Sequence, residues 1–256
     1  MKMKSRRIKI LIVALTLNML FVGCVMGDLT FNKATNVVEK FTGTMAPLTY
    51  NYVIGNVYAV YSSGENVFYI NQFNEVVEGA VFNSNRLHSE KSILSTLQAG
   101  QKAKDFAEKN YPNFTSHNMS LVSEKFIDHG AAGSEYQYIW KEYVSDIETP
   151  NSLIISINPN SGEVMDYIGI ERPITIPLTN EVISKEAVIK IATDEFQGIK
   201  IKNVTAFKSI DVDNNNHQHL VWHVEIEGYP IDEIMQGGKV IIDALNGAIL
   251  VKDPYS

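Results

Sequence analysis

The sequence predicts an α+β fold: two tandem modules, each a single helix packed on a small antiparallel sheet. Three observations point there. A layout of Trp-bearing strand, polar gap, apolar strand, Asn/Gly turn and further strand occurs twice. It runs from Tyr138 to Gly169 as "YIWKEYVSDIETPNSLIISINPNSGEVMDYIG" and from Leu220 to Tyr255 as "LVWHVEIEGYPIDEIMQGGKVIIDALNGAILVKDPY". Each copy follows a segment with helical spacing of apolar residues. Within the strands, apolar residues alternate, as a sheet with one covered face requires.

Taken in order, the chain opens with "MKMKSRRIKILIVALTLNMLFVGC". A basic start is followed by an apolar run from Ile10 to Val22, the layout of an export signal. That run is about 13 residues, short of the roughly 20 a spanning helix needs. Read generously from Ile8 to Met26, it also fits an uncleaved anchor. Cys24 is the only cysteine, so no internal disulfide forms. "LFVGC" resembles a bacterial lipobox, which implies that Cys24 is lipidated. Residues 1–26 are thus expected as signal peptide or lipoprotein anchor, and 27–48 as a tether or weak first helix.

The first module is expected over 49–172. Strands flank "SSGEN" as a hairpin, and a second hairpin turns near Asn74. A helix follows with Ser89 as N-cap, Ile93, Leu97, Ala103, Phe106 and Ala107 as its apolar face, and Pro112 beyond its end. Gly100 in its middle costs about 1 kcal/mol relative to Ala and marks a candidate break. "ERPITIPLTNE" reads as a linker centred on 173–182. The second module, 183–256, opens on a helix capped by Ser184, with Glu186 in its first turn. Ala187, Val188, Ile191, Ala192 and Phe196 form its face, and Gly198 stops it. In "LVWHVEIE", alternation puts Leu220, Trp222, Val224 and Ile226 on one side. Trp222 is expected as a core residue under the second helix, and Trp140 as its counterpart under the first. Asn246 and Gly247 are expected to close a hairpin as a type I′ turn, with Asp243 facing solvent or bonding the turn.

The chemistry-bearing patterns are sparse. The formal net charge is −7 and no basic stripe follows the signal, so nucleic acid is not an expected partner. There is no His-Glu-x-x-His, no Gly-x-Ser-x-Gly, no phosphate-cradling glycine loop and no paired-cysteine zinc set. In "DVDNNNHQHLVWH", Asp211, Asp213 and Asn215 mimic the start of a calcium loop, but Asn216 replaces the required Gly and Trp222 the closing Glu. His217, His219 and His223 on a strand face lack a fixed fourth ligand. A polar turn is the expectation, with no metal and no cofactor. Glu225 with Glu227, and Asp232 with Glu233, read as solvated acids. Sequons stand at Asn113, Asn118 and Asn203 and matter only in a host that glycosylates exported proteins.

"ISKEAVIKIATDEF", "LVWHVEIEG" and "GKVIIDALNGAILVKD" together resemble a PepSY domain over about Ile183 to Asp253. A looser copy spans about Ser89 to Ile170, and Phe68 to Phe82 is a candidate remnant of a third. The resemblance implies a noncatalytic module of the cell envelope, of a kind proposed to bind or restrain peptidases. The expectation is therefore an exported, membrane-anchored chain that binds an envelope protein such as a peptidase and is not an enzyme. The alternative is a structural or adhesive envelope lipoprotein.

Overall fold

The computed structural model describes residues 29–45, 47–86, 94–176, 183–213 and 217–255. Cys24 and the whole apolar N-terminal run lie outside them, as do Ser89, Ile93, most of the expected linker and the middle of the calcium-like loop. No helix among the described residues is long and apolar enough to cross a membrane.

The element order is one unit written three times. Helix α1 (Phe31–Thr42) precedes strands β1 (Thr49–Ile54), β2 (Tyr58–Ser63), β3 (Asn66–Asn71) and β4 (Val76–Val81). Helix α2 (Thr96–Asn110) precedes β5 (Met119–Asp128), β6 (Ser134–Val144), β7 (Ile147–Ile157) and β8 (Val164–Ile170). Helix α3 (Lys185–Asp194) precedes β9 (Ile201–Val212), β10 (Gln218–Gly228), β11 (Gly237–Asp243) and β12 (Ile249–Pro254). The two expected modules are thus three copies of helix plus four-stranded meander. The copy glimpsed at Phe68–Phe82 is complete, and the expected tether contains its helix.

Two compact units contain these copies. Among the described residues, the first comprises those within 29–142 and 151–172, and the second those within 143–150, 173–213 and 217–255. In the first unit the strand order is β1-β2-β3-β4-β8-β7-β6-β5, because β4 pairs antiparallel with β8 through Gly79↔Ile168, Ala80↔Tyr167 and Val81↔Asp166. One sheet therefore carries two helices, in place of the expected single helix on a small sheet. In the second unit the order is β9-β10-β11-β12, all antiparallel, under α3. A single parallel bridge, Glu148↔Ser209, makes the strand set mixed.

Each helix starts the same way. Thr30, Ser95 and Ser184 are N-caps whose hydroxyls accept the amide three residues on, from Lys33, Gln98 and Ala187. An aliphatic residue precedes each cap: Leu29, Leu94 and Ile183. The buried faces are Ala34, Val38 and Phe41 on α1, Ala99, Ala103 and Ala107 on α2, and Val188 and Ala192 on α3, with Phe196 just beyond. The α2 stripe corrects the expected face, since Leu97 is 83% exposed. Alanine every fourth residue lets the helix sit close to the sheet. The helix runs through Gly100 without a break, and a Cβ there would stand 3.1 Å from the Tyr138 ring, so the close packing suits glycine.

The aromatic centre of the first unit lies where its two helices meet. Phe41 of α1 is 5.6 Å from Phe106 of α2, centroid to centroid, and Tyr167 of β8 packs edge-on to both, at 5.0 and 5.8 Å. Edge-to-face pairs contribute about 0.5–1.5 kcal/mol each beyond the area they bury.

Candidate functional site

The turn before the last strand of every copy is one object. Asp243 accepts the Leu245 and Asn246 amides on Oδ1, at 2.8 and 3.0 Å. Its backbone N–H donates to Ala248 O, and Gly247 N–H donates back to Asp243 O, both at 2.9 Å. Asn158 repeats this with Asn160 and Ser161 on its side chain, Glu163 across the turn and Gly162 donating back. Asn71 does so with Phe73 on its side chain and Glu75 donating back. Residues Glu75, Gly162 and Gly247 all have positive φ, at 55°, 73° and 77°. Asn246 does not, so the expected type I′ turn is instead a four-residue loop. The Asp243 carboxylate draws the amides of Leu245 and Asn246 toward itself, as Asx turns do, and only the last position goes left-handed. Past each turn one extra residue bulges the final strand, at Glu78, Met165 and Leu250.

Both tryptophans are 6% exposed, but they are not counterparts. The Trp222 indole N–H donates to Ile183 O at 3.0 Å, ahead of α3. Ile183 in turn donates to Ala244 O, and a Cβ on Gly247 would meet the Ile183 side chain at 2.8 Å. Trp222, Asn246 and Gly247 are thus gathered around the entry to α3. In the second copy Leu94 holds the place of Ile183: it donates to Pro159 O, accepts from the Tyr136 hydroxyl at 2.9 Å, and crowds Gly162. Tyr136 is therefore the counterpart of Trp222. Trp140 lies further along β6, edge-on to Phe114 at 5.9 Å and stacked on Tyr138 at 6.0 Å.

One buried network gathers several polar side chains of the first unit. Glu78, 1% exposed, accepts Tyr58 Oη–H (2.7 Å), Asn71 Nδ2–H (2.9 Å) and both outer nitrogens of Arg172 (2.6 and 2.9 Å). Burial, then the Glu78 charge, push the Tyr58 hydroxyl well above its ordinary pKa, so it stays a donor. Arg172 N–H continues to Asn151 Oδ1, and Asn151 Nδ2–H to Glu142. His117 bridges Glu142 through Nδ1 and Glu171 through Nε2, the latter at 3.3 Å. Burial alone lowers the His117 pKa, but the hydrogen bonds and charges of Glu142 and Glu171 outweigh it and raise it above the ordinary value. Sequence reasoning missed this network, since Glu78, His117, Glu142, Asn151 and Arg172 share no linear motif.

In the second unit, His219 pairs with Asp213 at 3.1 Å and His223 with Asp211 at 3.0 Å, while His223 stacks on Phe207. Among the described residues no group of three or more His, Cys, Asp or Glu is arranged to hold a metal ion.

What remains open is the sheet margins. Strands β1 and β5 are the outermost strands of the first unit, and β12 ends the second. Each carries apolar side chains in water: Tyr50, Tyr52 and Val53 on β1, Leu121, Val122 and Phe126 on β5, and Ile249, Leu250 and Val251 on β12. Each also contains a bulge, at Asn51, Val122 and Leu250. Bulges are one means by which natural sheets keep their edges from indiscriminate pairing.

No curated protein matches the sequence. Among solved structures, the chain is similar to the Bacillus megaterium YpeB C-terminal domain, at 15% identity and a TM-score of 0.47, over 89% of this chain and 98% of that one. Residues 182–250 match the family model described as PepSY, "Peptidase propeptide and YPEB domain". The third copy, from the entry of α3 to the bulge of β12, is a PepSY domain.

Proposed function

We propose that the chain is a noncatalytic protein-binding module of the cell envelope that restrains a peptidase by occluding its surface. Export and membrane attachment through the N-terminal apolar run, with Cys24 as the lipidated residue, belong to the same proposal. The observation that carries it is the contrast between interior and margin. The buried polar groups described above are committed to one another, while β5 shows Leu121, Val122 and Phe126 to solvent beside unpaired backbone groups. Such a margin accepts an added strand: main-chain hydrogen bonds supply affinity, and alternate side chains supply selectivity. The peptidase link is supported by the family description of residues 182–250.

The test is recovery from envelope extracts with the purified chain as bait, followed by assay of whatever binds. The expected result is a peptidase whose activity falls as the chain is added in stoichiometric amounts. Replacing Val122 by Pro, which blocks the β5 margin without entering the core, should abolish that effect. Recovery of cell-wall polymer or structural proteins alone would favour a scaffold and end the peptidase reading.

A further inference from the structure

The three copies serve as references for one another. In the first, β2 and β3 are joined by Gly64 and Glu65 between Ser63 and Asn66. In the second, β6 and β7 are joined by Ser145 and Asp146. Packing of the meander thus needs only a two-residue turn at this place. In the third copy the corresponding strands part at Gly228 and Gly237, and the chain makes an excursion from Tyr229 to Gln236.

This insertion puts large apolar groups into water. Ile231 and Ile234 are 62% and 57% exposed, and Tyr229 and Met235 are exposed beside them. The loop is nevertheless held in one shape. Gly228 N–H donates to Gln236 O at 2.7 Å. A Cβ at Gly237, whose φ is 113°, would fall 1.9 Å from Ile226 O, so the neck closes only over glycine. Tyr229 N–H donates to Lys200 O, and Lys200 Nζ sits 4.9 Å from the Tyr229 ring centroid. At the tip, Ile231 and Ile234 exchange both backbone hydrogen bonds, at 3.0 and 2.9 Å. Asp232 and Glu233 turn between them with φ of 50° and 66°. Preformed apolar anchors are a feature of recognition loops, since little ordering remains to be done on binding.

We propose that Tyr229–Gln236 is a docking finger that enters an apolar cleft rimmed by lysine or arginine on a partner protein. The inference rests on the reading that this chain works by protein binding. The charge of the tip selects the occupant. Asp232 and Glu233 lie between the two isoleucines, so insertion into a bilayer would carry two carboxylates into hydrocarbon. A second copy meeting the same tip would crowd four carboxylates together. A basic rim around an apolar floor satisfies both the isoleucines and the acids.

The experiment places a benzophenone amino acid at Ile231 of the full chain, or at Val122 on β5, in cells that make it. The expected result is that the probe at 231 joins one protein, at a peptide lining an apolar cleft with flanking Lys or Arg. Binding of that purified protein should weaken by about 30-fold or more in I231D/I234D, the loss of hot-spot residues. The charge reversal D232K/E233K, which leaves the apolar residues in place, should also weaken it. Cross-linking of 231 to lipid or to a second copy of the chain would overturn the proposal, as would unchanged affinity in both variants. Adducts from 122 but not from 231 would overturn the finger and leave margin docking standing; adducts from neither would overturn both.

Discussion

The Trp222 indole donates its one proton to the carbonyl of Ile183, tying the middle of β10 to the residue just ahead of the α3 cap. Tyr136 makes the same bond to Leu94 ahead of α2. A large ring under the start of a helix, with a polar tip reaching the incoming backbone, is thus the shared device, and Trp or Tyr can serve it. Trp222→Phe loses the hydrogen bond and part of the buried ring, so we expect a loss in urea unfolding larger than the roughly 0.5–1.5 kcal/mol of the bond alone. Trp222→Ala should cost about 3–5 kcal/mol. Tyr136→Phe removes only the hydroxyl, so it should cost about 0.5–1.5 kcal/mol. A silent Tyr136→Phe would mean that its bond to Leu94 is not the equivalent of the Trp222 bond.

The left-handed residue of the recurring turn gives a second expectation. Gly247→Ala places a Cβ at φ 77° and 2.8 Å from Ile183, so strain of about 1–2 kcal/mol should appear as lost stability. Glu75 already bears that strain at φ 55°. Glu75→Gly relieves it but gives up about 0.5–1 kcal/mol of backbone entropy and an exposed pair with Lys33. The outcome expected from thermal melts is a clear fall for Gly247→Ala and little change for Glu75→Gly. Equal falls would mean that the turns are not equivalent.

This turn also shows what sequence could and could not disclose. Asp243 and Gly247 are spaced as in the first hint of a repeat, and Asn158 with Gly162 follows the same spacing. In the remaining copy Glu75 stands where glycine is expected, so the strongest turn signal is missing and the copy reads as a remnant. Helix α1 was obscured for a related reason. Its buried Ala34, Val38 and Phe41 have helical spacing, but Thr30, Asn32, Thr35 and Asn36 surround them with residues that favour turns. Likewise the face of α2 is written in alanines, which carry little hydrophobic signal, while Leu97 advertises a face that is exposed. The pairing of β4 with β8, which leaves β1 and β5 as margins, is a long-range choice that no local pattern records. The network of Glu78 and Arg172 follows from it.

Arg172 reaches Glu78 with two nitrogens while the carboxylate is cut off from water. Removing either partner strands the other, so Arg172→Ala should cost about 3–5 kcal/mol in chemical denaturation. Replacing both, as Glu78→Met with Arg172→Met, should recover much of that loss, because the desolvation penalty disappears with the charges. A double variant as unstable as the single one would show that Tyr58 and Asn71 need the carboxylate for reasons beyond pairing Arg172.

His117 supplies the pH dependence. Both of its ring nitrogens face carboxylates, Glu142 on one side and Glu171 on the other. Only the imidazolium can donate from both nitrogens. Burial opposes the charge, yet the two acids prevail and the folded-state pKa lies above the ordinary value near 6.5. A raised folded-state pKa means that the folded form binds the proton more tightly than the unfolded chain does. Its contribution is therefore fully present below pH 6.5 and is lost as pH rises through the folded value. His117→Gln lacks the titration, so the stability gap between parent and variant should be widest in mild acid and should narrow toward alkaline pH. Urea unfolding across that range measures the gap, and NMR titration of the imidazole locates the midpoint. A gap that widens with pH would mean that His117 is held neutral, with burial and not the two acids in control.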